Sequence, residues 1–333
     1  MIHADSHAGN IERLLKSIEH AYYPTTGHKP TRITIVLDPF KPIHALTRTF
    51  LRDYAFPSKS AVIVRRMLVS RTEPGARTAA FLNQFFTVNP DHSLLMLAPS
   101  TELSKHYASY MLYTTLEYRY SALQPRAISS LFGISLEPPA TYLNGSAFES
   151  APSAPRPFLY AAPASRAALF FPQHWAELHA YAAHRLYPAP SQASRNESRA
   201  QPPALELAPL VNGTWAEILL ELVRARGYTM LYPGFDDVLA LVHEDAQGLR
   251  APERSLVGRG GFLRLLPKED LPEWGRMAFL DAWGAEIKSA DDAIAFENSV
   301  ETFRQWVSSC PAEKTADAWG VGDLFCDDEG ESV

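Results

Sequence analysis

Residues Arg32-Ile-Thr-Ile-Val-Leu-Asp38, followed at once by Pro39-Phe-Lys-Pro42, decide how this chain is expected to fold. The run of apolar and β-branched residues is typical of a strand, and the Asp-Pro step with its second proline stops the strand in a loop. A strand without alternating polar residues is buried on both faces, as strands of parallel sheets are. The stretch therefore predicts a buried strand that enters a loop with a functional role.

Three more short apolar runs follow this strand, and a helical pattern separates each run from the next. They lie at residues 61–69, 93–97 and 131–136. Strands that alternate with crossover helices predict an α/β fold with one mainly parallel, Rossmann-like sheet flanked by helices. Ligands of such a sheet gather at the carboxyl ends of its strands. The candidate loops are therefore those at 38–42, 71–77 and 98–102.

The same patterns predict one large domain over residues 31–310, between an N-terminal helix and linker at 1–30 and an acidic tail at 311–333. The N-terminal helix is expected from Asn10 to Tyr22. Further elements are expected as helices at 104–120, 175–186, 214–226 and 290–307 and as a strand at 228–232. The Pro- and Ser-rich stretch 188–203 predicts a flexible insertion, and residues 327–333 are expected to be poorly ordered.

Composition excludes several classes of function. The formal net charge is -6 without a basic block, so a nucleic-acid partner is not expected. No stretch reaches the ~20 apolar residues of a membrane span, and the first residues lack the apolar core of a signal peptide. Cys310 and Cys326 lack metal-ligand spacing, and nothing requires them to pair.

Several segments, in their order along the chain, resemble fungal proteins related to family-2 glycosyltransferases. They lie at residues 33–40, 74–77, 94–104, 131–137 with 141–146, and 220–233, so the resemblance covers about residues 31–245. It implies a GT-A fold. It also implies an enzyme that transfers a sugar from a nucleoside-diphosphate sugar to a glycan, protein or lipid acceptor, commonly in the Golgi lumen. The alternative is a catalytically inactive relative that binds nucleotide or glycan or partners an active enzyme.

The resemblance also implies a divalent cation, Mn²⁺ or Mg²⁺, held by an Asp-x-Asp motif at a strand end. The corresponding residues here are Ala98-Pro99-Ser100, and neither alanine nor serine replaces a carboxylate as a strong ligand of a hard cation. Glu102 and His243 are the candidate substitute ligands. Each also has an ordinary interpretation, Glu102 as a solvated residue before a helix and His243 as a hydrogen-bonded histidine.

Nucleotide binding is expected at the loops that follow the strands. The candidate nucleotide-binding residues are Asp38, Arg71, Gly75, Arg77, Ala98 and Ser100. The last two are included because of their position after a strand. A guanidinium and free backbone N–H groups at a helix opening can hold a diphosphate. Alternatively, Asp38 only starts a turn, and the two arginines are solvated surface charges.

Glu217 is the candidate base that removes the proton of the acceptor hydroxyl. It also completes a capping box with Thr214, which is a purely structural role. Trp175 and His179 are candidate acceptor contacts, because sugars stack on aromatic faces. Core packing explains Trp175 equally well.

The first prediction concerns compartment. Asn144, Asn196 and Asn212 each begin an Asn-x-Ser/Thr acceptor sequence for N-glycosylation, which favours a secretory lumen if the natural protein has an anchor upstream of Met1. When the chain is expressed behind a signal peptide, we expect endoglycosidase treatment to lower the apparent mass of the secreted protein. An unchanged mass would remove the main support for a lumenal location.

Overall fold

The computed structural model describes residues 1–4, 11–25, 29–38, 40, 43–57, 60–67, 69, 75–86, 92–120, 130–143, 145–148, 156–187, 214–234, 239–243, 271–307 and 324. These residues form a mixed α/β fold. The strands are β1 (Ile2–Ala4), β2 (Arg32–Leu37), β3 (Ala61–Arg66), β4 (Leu94–Leu97), β5 (Thr101–Leu103), β6 (Leu131–Ser135), β7 (Phe158–Tyr160), β8 (Ala167–Phe170), β9 (Thr229–Tyr232), β10 (Ala240–Val242) and β11 (Phe279–Leu280). The helices are α1 (Ile11–Glu19), α2 (Ala45–Asp53), α3 (Ala76–Leu82), α4 (Tyr107–Arg119), α5 (Pro172–Leu186), α6 (Trp215–Arg226) and α7 (Ala290–Val307), with a 3-10 turn at Trp274–Arg276.

Within the described residues, nine strands form one central sheet in the order β3-β2-β1-β4-β8-β6-β9-β7-β11. Pairing is parallel from β3 to β4, between β6 and β9 and between β7 and β11, so the sheet is mostly parallel. The four strands predicted from apolar runs are β2, β3, β4 and β6, and all belong to this sheet. The prediction of an α/β fold with a mainly parallel sheet is confirmed.

Strand β1 is an element that the sequence analysis did not predict. It pairs in parallel with β2 on one side and with β4 on the other. Residues 1–30 were expected to be an N-terminal helix and linker outside the sheet domain, and the helix is present as α1, with Ile11, Leu14, Leu15 and Ile18 buried. The segment before it, however, supplies an inner strand of the sheet.

Strand β8 interrupts the parallel order, because it runs antiparallel to both of its neighbours, β4 and β6.

Strands β5 and β10 form a separate two-stranded antiparallel sheet. The predicted helix at 104–120 therefore begins later, at Tyr107, since the residues just before it belong to β5 and to the turn after it.

The chain divides into two compact units. Unit 1 comprises Met1–Leu68, Ser93–Phe171 and Thr229–Glu286, and it contains both sheets with α1, α2 and α4. Its core is built from sheet residues such as Ile35, Leu131, Ile134 and Leu231, packed with the apolar faces of the helices. The sequence had predicted one domain over 31–310.

Unit 2 comprises Val69–His92, Pro172–Tyr228 and Ile287–Val333 and contains α3, α5, α6 and α7. Aromatic contacts and buried ion pairs hold its helices together. The ring of Trp215 lies 5.5 Å from that of Phe81. The carboxylate of Glu177 accepts hydrogen bonds of 2.7 Å from Arg226 Nε and from the Tyr228 hydroxyl. These contacts tie α5 to the end of α6.

Two expectations on disorder, for residues 188–203 and 327–333, lie outside the described residues, as do Arg71, both cysteines and the three sequon asparagines. Among the helices that the structure describes, none has the length and apolar character needed to cross a membrane.

The second prediction concerns Gly133 in β6. A Cβ added there would lie 2.2 Å from the backbone carbonyl oxygen of Leu169 in β8, and a paired backbone cannot move away without breaking the ladder. We expect Gly133→Ala to lower the free energy of unfolding by about 2 kcal/mol, as overpacked cores do. Urea denaturation followed by circular dichroism measures this.

Gly275→Ala is the matched control, because the space around its added Cβ is open within 4 Å. We expect its free energy of unfolding to stay within about 0.5 kcal/mol of the wild type. Equal effects of the two substitutions would contradict the close approach of β8 to β6.

Candidate functional site

The strands β1 to β4 are parallel and end at the same edge of the sheet, here called the carboxyl edge of unit 1. The chain passes from β1 outward to β2 and β3 and then returns across β1 to β4. Such a reversal of strand order opens a crevice at the carboxyl ends, and this is where open α/β sheets bind ligands. The carboxyl edge between β1 and β4 is therefore the structural candidate for a binding site.

Asp38 lies at this edge, immediately after β2. It is 2% exposed, and its Oδ1 accepts a hydrogen bond of 2.8 Å from the backbone N–H of Phe40. This bond is the turn interaction that the sequence suggested. Asp38 therefore shapes the loop after β2, and its contact with a nucleotide stays a prediction.

Ala98-Pro99-Ser100 forms the turn that joins β4 to β5. The backbone N–H of Ala98 donates a 2.6 Å hydrogen bond to the carbonyl of Arg166, and the carbonyl of Ser100 accepts one of 3.0 Å from the backbone N–H of His243. The turn is thus fixed on both sides by the backbone. Ala98 and Ser100 are both partly exposed, so the site of the expected Asp-x-Asp motif is accessible but carries no carboxylate.

Glu102 and His243, the two candidate metal ligands, lie together. Glu102 Oε2 is 2.8 Å from His243 Nε2, and the side chains are 3% and 8% exposed respectively. The interpretation of Glu102 as a solvated residue before a helix is wrong, because Glu102 lies in β5, where the pairing with β10 brings His243 beside it. The two side chains form a direct hydrogen bond, and a role of the pair as metal ligands stays a prediction.

Glu137 and Arg166 form a second ion pair, which sequence reasoning missed. Arg166 Nε and Nη2 each donate a hydrogen bond of 3.1 Å to the carboxylate of Glu137. Burial raises the pKa of the Glu137 carboxyl, and the adjacent guanidinium offsets part of that increase. Ser135 fixes the backbone of Glu137 through its hydroxyl, which donates to the Glu137 carbonyl at 2.7 Å. A glutamate directly after the predicted strand 131–136 was the available signal.

Strand register places this ion pair next to the turn. Leu97 is opposite Ala167 in β8, and Ser135 in β6 is opposite Ala168. Continuing both registers to the strand ends puts Ala98, Arg166 and Glu137 in one cross-strand row. Opposite residues in antiparallel pairs have Cβ atoms about 5 Å apart on the same face, so Arg166 is the direct neighbour of both Ala98 and Glu137.

The predicted phosphate contacts belong to unit 2. Gly75 precedes α3 with a left-handed backbone, φ 76°, and an added Cβ would lie 2.5 Å from Leu186 Cδ2. Packing and the helix start therefore explain this glycine. Arg77 is exposed in the first turn of α3. The prediction that the loop after Arg71 joins those after β2 and β4 in one pocket stays untested, because Arg71 lies outside the described residues.

The candidate acceptor residues also lie in unit 2. Trp175 is fully buried, and its indole N–H donates a 3.0 Å hydrogen bond to the carbonyl of Phe85. The same carbonyl lies 2.9 Å from His179 Nε2, and burial lowers the pKa of His179. A fully buried indole offers no face to a sugar, so Trp175 has the packing role.

Glu217 completes the capping box of α6. Its Oε2 accepts a 2.9 Å hydrogen bond from the backbone N–H of Thr214, and its own backbone N–H donates to Thr214 Oγ1 at 3.3 Å. The structural alternative given by the sequence is therefore present. A role as catalytic base stays a prediction.

No protein-family model matches the chain, and a search of curated proteins finds no match to it. Within the described residues, no group of three or more His, Cys, Asp or Glu side chains is arranged to hold a metal ion. Binding of a divalent cation therefore stays a prediction.

The third prediction follows from the raised pKa of Glu137. The folded state holds this proton more tightly than the unfolded chain, whose glutamates have a pKa of about 4.3. The stabilisation is fully present below that pH and is lost as the pH rises through the folded pKa. We expect the wild type to lose free energy of unfolding relative to Glu137→Gln as the pH rises from about 4 to about 7.

Urea denaturation of the wild type and Glu137→Gln across this pH range measures the difference between their free energies of unfolding. The contributions of groups that titrate in both proteins cancel in this difference. A difference that stays constant or grows with pH would contradict the raised pKa.

Proposed function

We propose that the protein binds the nucleoside diphosphate of a nucleotide sugar at the carboxyl edge of unit 1 and acts as a glycosyltransferase of the GT-A type. The observation that carries this proposal is the reversal of strand order between β1 and β4. Parallel sheets bind nucleotides at such reversals because the loops there diverge and leave backbone N–H groups accessible.

The segments behind the family resemblance support the same edge. Three of them, 33–40, 94–104 and 131–137, contain β2, β4 with β5, and β6. They run on to Asp38 after β2, to the turn after β4 and to Glu137 after β6. Three of the segments that suggested a glycosyltransferase from sequence therefore end at the edge that the topology suggests independently.

The chemistry of sugar transfer sets what this edge must do. The departing nucleoside diphosphate develops negative charge, and a preorganised positive group or set of N–H donors lowers the barrier by offsetting it. Glu217 already accepts a hydrogen bond at its helix start, so the proposal rests on donor binding and not on that residue.

The second candidate is an inactive relative that binds nucleotide without turnover. Ala98 and Ser100 favour it, because they leave the turn after β4 without carboxylates. Loss of several kcal/mol of leaving-group stabilisation reduces turnover by more than about a hundredfold. Incubation with a panel of nucleotide sugars separates the candidates, because only the enzyme releases nucleoside diphosphate.

The fourth prediction tests the location of the site. We expect calorimetric titration to detect binding of at least one of UDP, GDP and CDP. Ala98→Trp should weaken that binding at least about tenfold, or about 1.4 kcal/mol, because the indole fills the crevice beside β4.

Ala55→Trp is the control. Ala55 is exposed and lies between α2 and β3, where the chain returns to the opposite edge of the sheet. Its nucleotide affinity should match the wild type. A chain that binds none of the three nucleotides, or equal effects of the two tryptophans, would refute the proposed site.

A further inference from the structure

Arg166 is a charged group at the carboxyl edge that is both held and accessible. Its Nε and Nη2 are bonded to the two carboxylate oxygens of Glu137. The Glu137 side chain is 9% exposed, whereas that of Arg166 is 44% exposed. A buried carboxylate therefore fixes one edge of the guanidinium while the rest of the group reaches solvent.

The fixed guanidinium keeps unused donors. An arginine side chain has five N–H groups in a planar fork, and Glu137 uses two of them. Within the described part of the chain, Arg166 makes no other side-chain hydrogen bond or ion pair. The remaining edge, formed by Nη1 and Nη2, has the spacing that binds two oxygens of a phosphate group.

Arg166 lies beside the turn after β4, where its donors can meet a ligand at the carboxyl edge. Its backbone carbonyl accepts the N–H of Ala98, so it lies opposite the residue where the resemblance implies the first aspartate of a metal motif. A positively charged group thus adjoins the turn in which the carboxylates are missing.

We propose that Arg166, oriented by Glu137, binds the diphosphate of the donor and takes the place of the divalent metal ion. This proposal rests on the proposed function and names the residue whose N–H groups bind the diphosphate. Arg166 is the binding residue, and Glu137 is a positioning residue that acts through it.

The charges and the fixed geometry of the Glu137–Arg166 pair explain how it binds an anion without a metal ion. Glu137 and Arg166 together are formally neutral, so the anion is held by short, directed N–H bonds and not by net charge. A guanidinium already locked by a carboxylate loses less conformational entropy when it binds. Diphosphate binding should therefore be independent of metal.

The test compares binding of UDP, GDP, CDP and inorganic pyrophosphate in EDTA and in Mn²⁺, by calorimetry. We expect the wild type to bind in EDTA, with less than about a twofold change on adding Mn²⁺. Arg166→Gln should weaken binding at least about tenfold. Arg52→Gln, an exposed arginine at the end of α2 with the same charge change, should have no effect.

Removing Arg166 alone leaves a buried carboxylate without its cation, which lowers stability. The double variant Arg166→Gln with Glu137→Gln removes both charges, so we expect it to fold like the wild type, judged by its urea midpoint, and still to bind weakly. Glu137→Gln alone should also weaken binding, although it makes the site more positive. Tighter binding by that variant would overturn the positioning role of Glu137.

Several outcomes would overturn the role of Arg166. Among them are wild-type affinity in Arg166→Gln, recovery of affinity in the double variant, and binding that requires Mn²⁺. The last leaves the proposed nucleotide site intact while refuting its metal-free form. Pyrophosphate binding that depends on Arg166, without nucleotide binding, would instead retain the anion site and refute the proposed function. Binding of neither ligand refutes both.

Discussion

The register of strand β8 is the constraint on which the candidate site depends. All four residues of β8 are buried, and a slip by one residue would turn every side chain to the other face of the sheet. The core therefore fixes the register against β4 and β6, and it fixes the residue before β8 as well. Arg166 occupies that position, between Ala98 and Glu137. Packing in the core thus decides which charged groups meet at the carboxyl edge.

Local sequence was sufficient for β2 and β6, whose residues are buried except for Arg32 at the start of β2. Residues 32–37 and 131–135 are long apolar runs bounded by turn residues, and pairing does not alter what such runs form. Strand β1 was missed because three residues carry no periodicity, and only its neighbours β2 and β4 make it a strand. Likewise, Glu102 looks like a residue before a helix until β10, far along the chain, pairs with it. What the sequence lacked in each case was the distant partner.

The same distinction holds for the candidate site. Capping by Glu217 is local, so the sequence contained the correct structural alternative. Glu102 and His243 were each singled out, but their 2.8 Å contact depends on pairing between residues 141 positions apart. Arg166 stands in an Ala-, Pro- and Ser-rich stretch that has no recognisable motif, and its importance comes only from the cross-strand row. Sequence patterns therefore identified residue types at strand ends and could not assign their neighbours.

A clamped guanidinium and a metal ion would give this edge different capacities. A divalent ion brings two charges and can follow the developing charge of a leaving group, whereas Arg166 brings one charge that Glu137 already neutralises. In the proposed site, the remaining N–H donors would bind the ground-state diphosphate, because their geometry is fixed before the ligand arrives. Interactions that are equally strong in the ground state and the transition state increase affinity without increasing turnover. In the proposed site, Ala98, Arg166 and Glu137 would therefore contribute to donor affinity, and the acceleration of sugar transfer would come from donors that engage the leaving oxygen only as its charge develops.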